Sequence, residues 1–413
     1  MRLIPLLITL FFLKGGYQIN LKLSEQSDGK VAIAIQEGDQ IYIVDSLPTI
    51  KKGVYRFKGR KPLTPGQYLF IKDNRRLFHF LLSFEQYTKL SFTATLNGER
   101  ITEVEVMGDK ENKAYFEMQR FLQQINQKPQ LTQIDVERIE RYTDSIAALY
   151  PHTVLAIIAR NIANPPLPEF MALHDPRVLH TSILPVRLKN LFTHIVPPQP
   201  DMVIPQVDRI LELSSDPLVR AYCGEFLLHY FLSSPIMGME NVAVHIAKKY
   251  VTGELKSTNE ELLLRLSSYV AFNESSLIGK QAPELNLSNR EGNLVSLKDI
   301  EANYTILLFY DEDCTACKEQ IPLINQVYKE YQSKGVAVYA VYTQDRREAW
   351  LKYIETNLSP EWMHVWDPEA LSRFHKLYNV TGTPRIFLLD RNKTIIGREI
   401  DASILAQILS HQP

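Results

Sequence analysis

Between residues 17 and 108, short runs at 19–23, 31–35, 40–44, 53–57, 66–71 and 89–95 either alternate apolar and polar positions with a period of two or are rich in β-forming residues. Turn formers such as Ser27-Asp28-Gly29, Asn74 and Asn97-Gly98 separate the runs. Successive side chains on a strand point to opposite faces, so this pattern predicts an all-β unit of about seven or eight half-buried strands, folded as a sandwich-like domain. At Asp109 the period changes to that of a helix, and amphipathic stretches follow at 111–127, 132–148, 154–164, 184–194, 203–214, 217–232, 240–250 and 259–272. Prolines at 165, 166 and 168, and again at 197, 198 and 200, mark loops between them. The chain is therefore expected to hold a β-sandwich-like domain over 17–108 and a central all-α domain over 109–275. No repeat of fixed period is present to make the helices a solenoid.

The last part, 278–413, mixes both periods. Residues 304–310 form a continuous apolar run of the kind buried on both faces of a parallel sheet. Downstream, 318–332 carries Ile321, Ile324, Val327, Tyr328 and Tyr331 at helical spacing. A strand at 336–342, a helix at 345–356, an apolar stretch at 362–366, a helix at 369–377, strands at 385–390 and 394–400 and a helix at 402–410 follow, and this interleaving of strands and helices predicts a mixed α/β sheet covered by helices.

Composition narrows the function classes. The 413 residues contain 46 Lys plus Arg against 47 Asp plus Glu, so no net field draws the protein to nucleic acid or to acidic lipid. Residues 3–13 are an apolar run behind one basic residue, too short for the ~20 residues of a membrane span. Residues 1–16 read as a secretory signal with an imperfect cleavage site at Lys14-Gly15-Gly16-Tyr17, and a short uncleaved anchor is the competing reading. No cysteine follows the run to accept a lipid. The expected location is the periplasm or cell envelope.

Only three cysteines occur, and two of them stand together in Asp313-Cys314-Thr315-Ala316-Cys317. They fall at the turn between the apolar strand and the amphipathic helix. A helix N-terminus offers unpaired N–H groups and a positive dipole end, which favour a thiolate on the first cysteine. Cys314 is therefore the candidate nucleophile, and Cys317, one turn on, is placed to resolve a mixed disulfide. Zinc would need two further ligands, which the scattered histidines do not supply, so neither metal nor cofactor is expected. A purely structural disulfide closing so short a loop would add little stability. The third cysteine, Cys223, lies on an apolar helical face and reads as a buried, inert thiol.

With this pair on a strand–helix turn and Thr383-Pro384 before a later strand, residues 278–413 resemble the thioredoxin superfamily, in its exported TlpA/ResA-like, AhpC/TSA-related branch. Gly279-Lys-Gln-Ala-Pro283 and the segment from Glu291 to Leu297 are similar to that branch's added N-terminal hairpin. The resemblance implies a thioredoxin-like fold, thiol-disulfide oxidoreductase activity, protein disulfides as substrates and a membrane thiol reductase as electron donor. It also implies that Pro384 is a cis-proline beside the cysteines and that the Thr383 backbone pairs with a bound substrate strand. The domain order resembles that of multidomain envelope proteins of the Bacteroidota type. Three positions depart from the family: Asp313 stands where Trp is usual, Leu308 where many members bury an acid, and Gln320 where the ResA-like branch has Glu. The proton acceptor for Cys317 is therefore left open.

Asp311, Glu312 and Asp313 crowd carboxylates next to Cys314, and like charge opposes the thiolate that the helix end favours. A peroxidase of the same fold is disfavoured, because the peroxidatic pattern needs Pro and Thr where Leu307 and Asp311 stand. A non-catalytic envelope binding or scaffold protein with a peptide-recognising thioredoxin-like domain is the alternative, since two of the three expected domains carry no visible chemistry.

Overall fold

The computed structural model describes residues 15–24, 29–48, 54–98, 100–253, 255 and 258–412. The apolar run at 3–13 of the expected signal lies outside the described residues. The chain divides into two compact units. The described residues up to Pro197 together with Gln206–Cys223 form one, and Pro198–Pro205 with those from Gly224 onward form the other. The helical stretch thus contributes to both.

The first unit opens with strands β1 (Tyr17–Leu23), β2 (Val31–Glu37), β3 (Gln40–Leu47), β4 (Val54–Gly59), β5 (Gly66–Lys72), β6 (Arg75–Leu82), β7 (Thr88–Asn97) and β8 (Arg100–Met107). They pair as two four-stranded sheets in the orders β4-β1-β7-β8 and β3-β2-β5-β6. Inward residues of both sheets, among them Leu21, Phe57, Phe70, Phe80 and Phe92, fill one core. The Phe70 ring meets Phe92 of the other sheet edge-on at 5.6 Å. This is the sandwich that the period-two pattern predicts, with β1 and β7 parallel to each other. Helices α1 (Lys110–Asn126), α2 (Gln133–Leu149), α3 (Val154–Ala163), α4 (Ile183–Asn190), α5 (Pro200–Leu213), α6 (Pro217–Leu232), α7 (Met239–Val251) and α8 (Glu260–Asn273) follow. Where a single helix over 184–194 is expected, α4 passes into a wider turn at Leu191–Ile195, closed by the Val196 amide on the Leu191 carbonyl at 2.9 Å. Cys223 is fully buried, and burial pushes its thiol up to about 12, as an inert side chain requires.

The second unit carries β9 (Asn286–Asn289), β10 (Leu294–Ser296), β11 (Tyr304–Tyr310), α9 (Thr315–Tyr331), β12 (Val336–Tyr342), α10 (Arg347–Asn357), β13 (Met363–Trp366), α11 (Phe374–Leu377), β14 (Arg385–Leu389), β15 (Ile395–Arg398) and α12 (Ala402–Ser410). The seven strands form one sheet in the order β10-β9-β13-β12-β11-β14-β15. β11 lies between β12, which is parallel, and β14, which is antiparallel, so its neighbours take up its backbone groups on both sides. Its side chains divide by parity: Ile306, Leu308 and Tyr310 join the core under α9 and α12, while Leu307 and Phe309 join the opposite core with Phe374 and Tyr378. That division is why the run reads as uninterrupted apolar rather than alternating.

The helix expected over 369–377 shrinks to α11. The Asp367 carboxylate accepts the amides of Leu371 and Ser372 at 3.1 and 2.9 Å, and Ala370 and Arg373 adopt φ of +51° and +57°, so the chain before Phe374 is held as a turn. Among the described residues no helix is long and apolar enough to cross a membrane.

Candidate active site

The site grows from the end of β11. The buried strand stops at Asp311, and the chain turns through Glu312 and Asp313 into α9, with Cys314 as the helix N-cap. Its Sγ accepts the Cys317 amide at 3.0 Å, the bond that a Ser or Asp cap would make at the same place. An amide aimed at sulfur, at the positive end of α9, stabilises negative charge there once the pair is reduced. Cys314 is half-buried, whereas Cys317 is fully buried in the core beneath α9. The two are joined as a disulfide with their Cα atoms 5.2 Å apart.

The Thr383–Pro384 peptide is cis, and the Thr383 carbonyl oxygen lies 3.1 Å from Cys314 Sγ. The structure thus brings Cys314, Cys317, Thr383 and Pro384 into one place from positions about seventy residues apart in sequence. Pro384 directly precedes β14, whose first residue, Arg385, pairs with Phe309 of β11, and this register sets the cis peptide against the cysteine turn.

The acidic turn is not uniformly solvated. Asp311 accepts the Gln344 side-chain amide at 2.7 Å and the Asp313 backbone amide at 2.7 Å. The Glu312 side chain is only 11% exposed and lies 2.8 Å from the Arg346 guanidinium, which also reaches Asp313 at 2.7 Å. The hydrogen bond to Asp313 and the charges of Glu312 and Asp313 raise the pKa of Arg346 above its ordinary value. Arg346, from the turn before α10, therefore offsets part of the carboxylate charge beside Cys314. Sequence reasoning missed it, because an arginine 33 residues beyond Asp313 carries no local signal.

Two departures from the family pattern now have a physical description. Leu308 is fully buried in the same apolar core as Cys317, so no acid stands at that strand position. Gln320 accepts the Ala402 amide at 3.0 Å, so its side chain caps the start of α12 and is committed away from proton transfer.

Residues 278–398 match the AhpC/TSA family, and residues 17–115 match a domain of unknown function, DUF4369. A thiol-disulfide oxidoreductase ResA of Bacillus cereus is 25% identical over 143 residues, covering 34% of this chain and 79% of that protein. Its counterpart in Bacillus thuringiensis is 27% identical over 159 residues, covering 36% of this chain and 88% of that one. A solved domain of a possible thiol-disulfide isomerase from Cytophaga hutchinsonii is 34% identical, covering 32% of this chain and 91% of that domain, with a TM-score of 0.31. Through the residues from 278 onward this chain belongs to the thioredoxin superfamily, as a ResA-like thiol-disulfide oxidoreductase.

Proposed function

We propose that the protein is an exported reductant of protein disulfides, with Cys314 as the attacking and Cys317 as the resolving thiol. The observation that carries this reading is the asymmetry of the pair: Cys314, half-buried at a helix N-terminus, meets the Thr383 carbonyl, while Cys317 is sealed in the core. Thr383 and Pro384 are the substrate-binding residues, the Thr383 backbone pairing with an extended segment that flanks the target disulfide.

In the forward reaction the Cys314 thiolate attacks one sulfur of the substrate disulfide. A mixed disulfide forms and the other substrate sulfur leaves as a thiolate. Cys317, deprotonated, then attacks Cys314 Sγ, closing the Cys314–Cys317 bond and releasing the second substrate thiolate. The substrate gains two electrons and the pair loses two. A dithiol donor, by family resemblance a membrane thiol reductase, returns them, and the expected setting is the periplasm or cell envelope. No metal or cofactor is needed for these steps.

The test is reduction of insulin by the purified full chain, with Cys314→Ser as control and Cys317→Ser as a trap. The expected result is turnover by the wild type, none by Cys314→Ser, and a persistent mixed disulfide with Cys317→Ser. An inactive, well-folded wild type would overturn the proposal in favour of a non-catalytic envelope binding protein.

A further inference from the structure

The loop that carries the cis peptide is enclosed by polar side chains that do not touch the cysteines. Asn273, the last residue of α8, is buried, and its Oδ1 accepts from Arg398 Nη2 at 2.5 Å and from Asn379 Nδ2 at 3.1 Å. Its own Nδ2 donates to the Tyr269 carbonyl at 2.8 Å, which fixes the amide's orientation. Arg398, equally buried, also reaches Glu399 Oε1 at 3.2 Å. The other Glu399 oxygen pairs with Arg385 Nη1 at 2.5 Å, and Arg385 Nη2 donates to Thr381 Oγ1 at 3.3 Å. Glu399 makes both contacts from a left-handed backbone, φ +52°, and Asn379 donates from φ +51°. Such conformations persist in residues other than glycine only where the surroundings over-determine them.

The contacts close into a ring: Asn273, Arg398, Glu399, Arg385, Thr381, and back through Asn379 to Asn273. The segment from Asn379 to Arg385 is grasped at both ends, and Thr383-Pro384 lies between the two grips. Asn273 lies upstream of the stretch that matches the AhpC/TSA family, so this part of the support comes from the helical region. A buried guanidinium is costly unless its hydrogen bonds are met, and Arg398 Nε and Nη1 have no hydrogen-bond partner among the described residues. Removing the Asn273 acceptor therefore leaves a strongly destabilised cation beside the loop, which must shift to satisfy it.

We propose that Asn273 and the Arg398–Glu399–Arg385 relay are positioning residues for disulfide reduction: they hold the Thr383–Pro384 peptide in the register that a substrate strand reads, and so make α8 a working part of the redox domain. This rests on the reading of Thr383 and Pro384 as the substrate-binding residues. The ring acts on binding of an extended substrate and not on the sulfur chemistry.

The test uses the full chain, with Asn273→Ala, the acceptor-retaining Asn273→Asp, and Leu266→Ala, which removes a buried α8 side chain outside the ring. For reduction of a peptide disulfide, Asn273→Ala is expected to raise KM about tenfold with kcat within twofold, the loss of a hydrogen bond to a charged group. Alkylation of reduced Cys314 by iodoacetamide should stay within twofold, Asn273→Asp should recover most of the KM, and Leu266→Ala should lower stability without moving KM. An unchanged KM in Asn273→Ala, or an equal rise in Leu266→Ala, overturns the proposal. Should Asn273→Ala fail to fold, Thr381→Val removes the exposed end of the ring and is expected to shift KM in the same direction. Hydrogen exchange over residues 379–386 separates this proposal from the redox reading. Faster exchange in Asn273→Ala than in wild type and Leu266→Ala supports the ring even if the wild type reduces nothing, and unchanged exchange overturns it.

Discussion

His364 on β13 is almost fully buried, and its Nε2 donates to the Ser359 carbonyl at 2.8 Å while Nδ1 meets no partner among the described residues. A second proton would have to sit on that unpartnered nitrogen, and burial accordingly lowers the pKa from 6.5 to about 4. The unfolded chain takes up this proton near pH 6.5 and the folded chain only near 4. This contribution to stability is thus full above about pH 6.5, declines as pH falls towards 4, and is worth on the order of 3 kcal/mol. Urea unfolding should show a smaller loss of midpoint between pH 7 and pH 4.5 in His364→Gln, which keeps the donor without the titration. Equal losses in both proteins would exclude His364 as the source. Arg346 makes a prediction beside the cysteines. Because it offsets Glu312 and Asp313, Arg346→Gln should expose Cys314 to more like charge and slow its alkylation at neutral pH by about two- to fivefold, an effect that ~1 M salt should largely erase. An unchanged rate would mean that the turn is electrostatically remote from the sulfur. At this scale the cysteine pair was legible because its chemistry is carried by two neighbouring residues on a strand–helix turn, and Thr383-Pro384 was picked out through the family resemblance. Arg346, the Gln320 cap and Asn273 were not, because each acts through a partner far along the chain.

At the scale of elements, the question is how much of the helical region the redox domain needs. The whole seven-stranded sheet and both of its cores are built from residues after Leu277, so a fragment of residues 278–413 is expected to fold and to keep the Cys314–Cys317 chemistry. It lacks α8, however, which packs on α11 and supplies Asn273. A fragment of residues 258–413 should therefore melt about 5 °C or more above the shorter one. Equal melting temperatures would show that α8 adds nothing to the domain. The periodicities located most elements well because continuous burial writes itself into the pattern. They failed at 369–373, where one carboxylate, Asp367, holds two amides and stops a helix that the spacing allows. Hydrogen bonding of a single side chain to the backbone leaves no periodic trace.

For the whole molecule, the two compact units make the expected thermal behaviour specific. The redox disulfide lies in the second unit alone, so calorimetry with and without dithiothreitol should leave the first unit's transition in place and confine any shift, small for so short a loop, to the transition assigned to the second. One transition that shifts as a whole would show that the units unfold together. The sequence by itself determined the order of β, helical and α/β segments and the strand–helix frame of the cysteine pair, because these follow from local periodicity and from residues whose chemistry is their own, while the association of that motif with Thr383-Pro384 came from the family resemblance. Only the tertiary structure decided which helices join which unit, that Arg346 faces the acidic turn, that Gln320 caps α12, and that the cis peptide is held by a ring closed from α8. Each of these depends on two groups being buried at hydrogen-bonding distance, and burial brings together positions that the linear pattern treats as unrelated.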